Sequence, residues 1–143
     1  MIRIQPEDFD AGAEIARLNA STDVGAVATF TGHVRADDGL IALTLEHYPA
    51  MTEREIARHV AEAEERWPLL GVTIIHRVGR LVPGDRIVFV GVASSHRQAA
   101  FEACEFLMDY LKIHAPFWKQ EERAGATRWV EAKSADEKAA RRW

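Results

Sequence analysis

Two lysines, Lys112 and Lys119, lie on either side of a proline and an aromatic pair in the string Lys112-Ile113-His114-Ala115-Pro116-Phe117-Trp118-Lys119. Pro116 lacks a backbone N–H and disfavours helix at Ala115, so a helix that reaches Lys112 must turn there and continue as extended chain. The turn would bring Lys119 back beside Lys112. Two ammonium groups repel each other unless an anion lies between them. The string therefore predicts a site for an anionic ligand beside an aromatic wall.

Each lysine alone also has an ordinary structural interpretation. A cation in the last turn of a helix complements the exposed carbonyls, and Lys112 has Asp109 three residues back as an ion-pair partner. Lys119 alone would be a solvated strand lysine that blocks edge pairing. Only the combination of the two favours a ligand site.

A second group of polar residues lies at the predicted start of the same helix. Ser95-His96-Arg97-Gln98 matches a capping box, and free backbone donors at a helix start attract phosphate or carboxylate. A plain N-cap explains Ser95 equally well, but His96 and Arg97 add directional donors, and arginine can grip phosphate through two parallel hydrogen bonds. Arg35, after a predicted strand, would by itself be a solubilising surface charge.

Hydrophobic periodicity and turn residues predict the elements that carry these groups. The predicted strands are 2–5, 24–34, 41–48, 72–78, 86–93, 117–120 and 128–131, and the predicted helices are 9–18, 52–67, 95–115 and 134–142. Asp38-Gly39 is a favoured hairpin pair, so strands 24–34 and 41–48 are expected to pair antiparallel. A capping box, Thr52-Glu53-Arg54-Glu55, is expected to begin the second helix.

The order of these elements predicts an α+β fold, with a largely antiparallel sheet and packed helices, in a single domain over residues 1–143. Strand 86–93 is apolar on both faces and is expected to be central. The helix from Ser95 is expected to be the most buried one. Its apolar stripe comprises Ala100, Cys104, Leu107 and Leu111, widened by Phe101 and Met108.

Composition narrows the function. A formal net charge of -4 argues against broad nucleic-acid or anionic-membrane binding, and no apolar run approaches the roughly 20 residues of a membrane span. The simplest expectation is a cytoplasmic protein. Cys104 is the only cysteine and is expected to be a buried structural thiol, so any sulfur handled here must come from outside. His33, His47, His76 and His114 show no metal-ligand spacing, and neither a metal nor another cofactor is expected.

Several short strings together resemble the large, catalytic subunit of molybdopterin synthase over nearly the whole chain, from about residue 25 to the C-terminus. They occur in the family's order: Phe30-Thr31-Gly32, Leu45-Glu46-His47-Tyr48, Pro83-Gly84-Asp85, His96-Arg97, the string from Lys112 to Lys119, and Arg128-Trp129-Val130-Glu131. This resemblance implies an α/β-hammerhead-like fold. It also implies sulfur insertion during molybdenum cofactor biosynthesis.

In that family a small ubiquitin-like sulfur-carrier subunit brings sulfur as a thiocarboxylate on its C-terminal glycine. Two deliveries convert cyclic pyranopterin monophosphate into a dithiolene. By resemblance, Lys112 and Lys119 are the catalytic lysines and also contact the substrate. The remaining implied substrate-binding residues are His33, Arg35, His96, Arg97, Gln120 and Glu121. The family's assembly is a heterotetramer around a central homodimer of the large subunit.

This chain departs from the resembled family at two places. The family often has lysine where this chain has His33, and its loop after the Arg35 position is often longer than Ala36-Asp37-Asp38-Gly39. Neither departure touches the lysine pair.

A length argument adds a hypothesis about assembly. His96 and Lys112 are sixteen residues apart on one predicted helix, roughly 24 Å at about 1.5 Å per residue. One small pocket cannot easily take both from one chain. If both serve one site, His96 and Arg97 come from a neighbouring protomer.

Two other classes of protein stay open. A non-catalytic module would dock a ubiquitin-like tail in the same cationic cleft, although a tail with one terminal charge would not need a separate phosphate grip. An unrelated phosphate-binding α+β protein would bind simple nucleotides without a protein partner.

Overall fold

The computed structural model describes residues 1–130 and 138–143, with three helices and eight strands as its elements. In chain order these are β1 (Ile2–Gln5), α1 (Ala11–Leu18), β2 (Ala26–His33), β3 (Leu40–His47), α2 (Pro49–Arg66), β4 (Leu69–Arg77), β5 (Gly79–Leu81), β6 (Arg86–Ser94), α3 (Arg97–Ile113), β7 (Phe117–Arg123) and β8 (Ala126–Trp129). The predicted strand 128–131 and terminal helix 134–142 each extend partly outside the described residues. Residues 138–140 of that predicted helix are helical.

The strands form two sheets of four. The first has the order β1-β4-β6-β2 and the second the order β5-β3-β7-β8. Within these sheets only the β1–β4 pair is parallel. The predicted α+β class with largely antiparallel pairing is confirmed, and the strands are divided between two sheets.

The predicted hairpin between β2 and β3 is wrong. β2 pairs with β6 in the first sheet, whereas β3 pairs with β5 and β7 in the second. The turn itself is present, since Asp38 and Gly39 have φ of 41° and 75° and the Leu40 N–H donates to the Asp37 carbonyl at 2.8 Å. It redirects the chain from one sheet to the other. We call residues 34–39 the β2–β3 connection.

Strand β6 is an internal strand of the first sheet, as its two apolar faces predicted. Helices α2 and α3 cover one face of this sheet. The core there includes Ile56 of α2 and Leu107 of α3, both fully buried. Cys104 is also buried, and burial raises the pKa of its thiol to about 11. The predicted burial of the Cys104 thiol is confirmed.

The apolar stripe of α3 differs from the prediction at one residue. Ala100, Cys104, Leu107, Met108 and Leu111 are buried, but Phe101 is 65% exposed. Phe101 and Met108 share nearly the same angular position about the helix, two turns apart. The packing that covers Met108 does not extend two turns back to Phe101.

Both predicted capping boxes are wrong. Helix α2 begins at Pro49, which fits the first helical position because proline has no N–H to leave unpaired there. Thr52 therefore lies inside the helix, where its hydroxyl donates to the Pro116 carbonyl at 3.3 Å. Helix α3 has His96 as N-cap without a side-chain cap bond, and Ser94 Oγ accepts from the His96 N–H at 3.4 Å instead.

Candidate functional site

The turn after α3 has the predicted form. The helix ends at Ile113, the His114 N–H closes the last turn on the Tyr110 carbonyl at 2.8 Å, and extended chain resumes at Phe117. Lys112 is exposed in the last turn of α3. Lys119 is half-buried on β7, opposite Leu45 of β3.

A buried histidine, His76, lies within electrostatic range of both lysines. The His76 ring, near the end of β4, stacks on the Phe117 ring with centroids 4.0 Å apart. Burial lowers the pKa of His76 to about 4, and repulsion from Lys112, Lys119 and His47 adds to this effect. Both ammonium groups therefore lie within electrostatic range of the His76 ring.

His76 is neutral at ordinary pH and has a defined tautomer. Its Nδ1 lies 2.8 Å from the Arg77 carbonyl, and a carbonyl accepts only, so Nδ1 carries the proton and Nε2 is left as an acceptor. The sequence did not identify His76 as part of this site. The available signal was a histidine within the apolar strand 72–78, which by itself favours an ordinary core residue.

The expected ion pair between Lys112 and Asp109 is absent. Asp109 instead accepts hydrogen bonds from the Arg142 guanidinium at 3.0 Å and from the Trp143 indole. Within residues 1–130 and 138–143, no carboxylate lies at ion-pair distance from Lys112. Of the ordinary interpretation of Lys112, the place in the last turn of the helix is observed and the ion pair with Asp109 is not.

The aromatic pair after Pro116 divides between the two faces of β7. Phe117 points inward onto His76, whereas Trp118 points outward and meets Tyr48 edge-on at 4.7 Å. Alternation along a strand places Phe117 and Lys119 on one face. Phe117 alone therefore supplies the aromatic surface on the lysine side.

The same face of β7 continues with Glu121 and Arg123. Glu121 accepts two hydrogen bonds from the Arg123 guanidinium, at 3.0 and 3.3 Å. These residues line an open groove of about 380 Å³ together with Asp38, Ala126 and Arg128. Gln120 lies on the opposite face, opposite Thr44 and Trp129, so strand alternation separates it from Lys119 and Glu121.

Arg35 and His33 lie where β2 leaves the first sheet. His33 is the exposed last residue of β2, paired with Arg86 beyond a register shift. The Arg35 side chain is 75% exposed, and its guanidinium lies 3.7 Å from the Asp37 carboxylate. Arg35 therefore extends from the β2–β3 connection as an accessible cation.

His96 and Arg97 lie at the other end of α3 from Lys112. Both are exposed and line a second open groove, of about 410 Å³, with Gly25, Ser95 and Gln98. A side chain at position 25 would not fit, because its Cβ would come within 2.1 Å of the Ser95 carbonyl oxygen. With about 1.5 Å of rise per residue, the helix separates the two cationic regions by roughly 24 Å.

Residues 1–130 and 138–143 contain neither a membrane-spanning helix nor a metal-binding cluster. No described helix is long and apolar enough to cross a membrane. No cluster of three or more histidine, cysteine, aspartate or glutamate side chains in the described part of the chain has the geometry of a metal site.

The two sheets and the packed helices define an α+β protein with an acidic chain, in which Lys112 and Lys119 flank the turn after α3. Within that class the chain belongs to the MoaE protein family, whose model matches residues 4–114. A relative from Mesorhizobium japonicum, named molybdopterin synthase catalytic subunit, is 59% identical, over 99% of this chain and 92% of the relative.

Solved structures agree with this assignment. The molybdopterin biosynthesis MoaE protein from Burkholderia ambifaria MC40-6 is 53% identical, with a TM-score of 0.86 over 100% of this chain and 97% of its own. The molybdopterin synthase from Staphylococcus aureus is 31% identical, with a TM-score of 0.83 over 90% of this chain and 95% of its own. The resemblance found in the sequence is thus confirmed at the level of the family.

Proposed function

We propose that this chain is the catalytic subunit of a molybdopterin synthase and acts as a sulfurtransferase in molybdenum cofactor biosynthesis. The observation that carries the proposal is the approach of Lys112 and Lys119 to the same buried ring, His76, in a chain of the MoaE family. The name of the Mesorhizobium japonicum relative supports the same activity.

The proposed acceptor is cyclic pyranopterin monophosphate, and the proposed donor is the C-terminal thiocarboxylate of a small ubiquitin-like partner. In each of two transfers, the donor sulfur bonds to an acceptor carbon and a C–O bond at that carbon breaks, so that one displaced oxygen stays on the phosphate and the other leaves as water. Water then attacks the carbonyl of the resulting thioester, the sulfur stays on the acceptor, and the donor glycine leaves as a carboxylate. The cyclic phosphate opens during the sequence. Both the thiocarboxylate and the phosphate are anions, which suits a local cationic site on a chain of net charge -4.

The lysines have complementary environments for this chemistry. Lys112 is exposed in the last turn of α3 and is proposed to contact the incoming tail or to transfer a proton. Lys119 is half-buried on β7 and is proposed to stabilise developing charge or the leaving carboxylate. His76 has a pKa of about 4, so it adds no third positive charge beside them at neutral pH.

The phosphate is proposed to be held by Arg35, His96 and Arg97, and the rim of the site to include His33, Gln120 and Glu121. His96 and Arg97 belong to the opposite end of α3 from Lys112. We therefore propose that two chains form a central homodimer and share each site, with one small subunit at each site in a heterotetramer. The word subunit in the relatives' names supports an assembly.

A single-turnover assay with cyclic pyranopterin monophosphate and the thiocarboxylated small partner tests the activity. Wild type is expected to form dithiolene product, and Lys112→Ala and Lys119→Ala are expected to be slower by about 100-fold or more. Lys138→Ala is the matched control, because Lys138 is exposed and lies outside the proposed site.

Each other outcome favours a different class of protein. Tight binding of the partner without product from wild type would favour a docking module. Binding of simple nucleotides without any need for the partner would favour an unrelated phosphate-binding protein. Equal rates for all three lysine variants would show that Lys112 and Lys119 are not catalytic residues.

A further inference from the structure

The β2–β3 connection is attached to the rest of the protein at two points. At its start, the Val34 N–H donates to the Asp85 carbonyl and the Val34 carbonyl accepts from the Gly84 N–H, both at 2.8 Å. Near its end, one nitrogen of Arg123, Nη1, donates to the carbonyls of Asp37 and Asp38, both at 2.7 Å. Arg35 and Ala36 form the short span between these two attachments.

The second attachment holds an uncommon backbone conformation. Asp38 has φ of 41°, a region that residues other than glycine seldom adopt. This conformation lets two consecutive carbonyls converge on one cationic donor. A donor with a positive charge makes stronger hydrogen bonds than a neutral one, so the guanidinium favours the conformation in which both carbonyls face it.

Arg123 is itself held in place. Its Nε and Nη2 donate to the Glu121 carboxylate, and its side chain is 27% exposed against 75% for Arg35. The guanidinium groups of Arg123 and Arg35 thus differ in their hydrogen bonding and in their exposure. Arg123 makes four hydrogen bonds to protein acceptors, whereas Arg35 has one carboxylate at 3.7 Å and is otherwise open to solvent.

We infer that Arg123 is a positioning residue, which fixes the β2–β3 connection so that Arg35 is presented to the phosphate of the substrate. The inference rests on the proposed function for the role of Arg35. It assigns Glu121 a different part from direct substrate contact: Glu121 orients Arg123, and Arg123 orients the connection.

Loss of the second attachment should weaken binding more than turnover. Without Arg123 the chain beyond Val34 samples other conformations, and apparent affinity falls in proportion to the fraction that remains competent. If about one conformation in ten presents Arg35, the apparent Kd for the pterin substrate rises about tenfold. The limiting single-turnover rate should change by less than about twofold, because Lys112 and Lys119 keep their positions.

The experiment compares Arg123→Ala and Arg123→Lys with wild type in the single-turnover assay, over a range of pterin substrate concentrations. Arg123→Lys keeps a cation near the two carbonyls and is expected to recover part of the affinity. The matched control is Arg80→Ala, which removes an arginine of β5 that pairs with Glu122 at 3.2 Å in the same sheet but makes no hydrogen bond to the connection. Thermal unfolding of each variant shows whether it is folded, and Arg123→Gln replaces Arg123→Ala if that variant is not.

A double variant tests whether Arg123 affects substrate binding through Arg35. Arg35→Ala should weaken binding, and Arg123→Ala should then add little further loss in the Arg35→Ala background, since the two act as one unit. Hydrogen exchange provides a readout without substrate. The Leu40 amide, which donates to the Asp37 carbonyl, should exchange faster in Arg123→Ala and at the wild-type rate in Arg80→Ala.

Two results would overturn the inference: an unchanged apparent Kd in Arg123→Ala, or full additivity of the two losses in the double variant. Absence of product from wild type would instead refute the proposed function. In that case the Leu40 exchange rate still decides whether Arg123 fixes the connection.

Discussion

His76 is a buried residue whose pKa is lowered in part by both lysines of the candidate site. A histidine that must be neutral in the folded protein makes stability depend on pH. Its pKa falls from an ordinary 6.5 to about 4, so between these values the unfolded chain binds more protons than the folded one. The contribution of neutral His76 to the free energy of unfolding is therefore fully present above about pH 6.5 and is lost as the pH falls towards 4.

We predict that wild type loses about 2 kcal/mol of this contribution between about pH 7 and about pH 5, at about 1.4 kcal/mol per pH unit below 6.5. His76→Gln has no titrating ring and should show a correspondingly flatter profile, whatever its absolute stability. Urea unfolding at a series of pH values measures both. His33→Gln removes an exposed histidine and should keep the wild-type slope. A His76→Gln profile as steep as that of wild type would contradict the assignment.

At the scale of elements, one hydrogen bond joins α2 to the turn between the lysines. Thr52 is fully buried in α2, and its hydroxyl donates to the carbonyl of Pro116. Removal of a buried donor leaves that acceptor unpaired, which costs about 1–3 kcal/mol. The bond fixes the turn from the side of another helix.

We predict that Thr52→Val, which keeps the shape and loses the hydroxyl, lowers the free energy of unfolding by about 1–3 kcal/mol and slows single turnover by letting the turn move. Thr52→Ser keeps the hydroxyl and should retain most of the rate. Chemical unfolding and the single-turnover assay measure the two effects. A Thr52→Val protein with the wild-type rate would show that the turn is positioned without this bond.

The sequence predicted those elements whose causes are local. Pro116 forces its turn through its own ring, and the apolar pattern of 86–93 marks an internal strand wherever its neighbours come from. The β2–β3 hairpin failed because Asp38-Gly39 determines a bend and not the partners of the strands. Those partners depend on contacts distant in sequence, such as Val34 with Asp85.

The candidate site likewise has features with local causes and features that depend on contacts distant in sequence. The positions of Lys112 in the last turn of α3 and of Lys119 on extended chain could be predicted because both residues flank one proline. His76 reaches Phe117 across 41 positions of the chain, and Arg123 reaches Asp37 across 86, so neither contact leaves a local pattern. The prediction of a capping box at Thr52 failed for a related reason. Helix α2 begins earlier, at Pro49, and the Thr52 hydroxyl donates to the Pro116 carbonyl instead of capping the helix.

For the whole molecule, the cationic groups lie in two regions that one helix holds apart. Lys112 is in the last turn of α3 and Arg97 is its first residue. A rigid helix cannot fold back to bring its own ends together, so one compact site with both groups requires two chains. A shared site in the proposed homodimer would meet this requirement.

Mixed dimers of Lys112→Ala and Arg97→Ala chains test this arrangement. If each site takes Lys112 from one chain and Arg97 from the other, a mixed dimer has one intact site and one doubly altered site. Random mixing makes about half of the dimers mixed, so about a quarter of the wild-type amount of product is expected in a single-turnover burst. Each parent variant alone should remain slow.

A second mixture supplies the matched control. Lys112 and Lys119 flank one turn and should come from the same chain, so Lys112→Ala mixed with Lys119→Ala leaves every site with one lysine missing and should recover nothing. Co-expression with two different tags isolates the mixed dimers, which should then show about half of the wild-type burst. Recovery in the first mixture and none in the second is the pattern that only a site shared in this way produces. Failure of the first mixture, in dimers shown to be mixed, would assign Arg97 a role outside the site of Lys112.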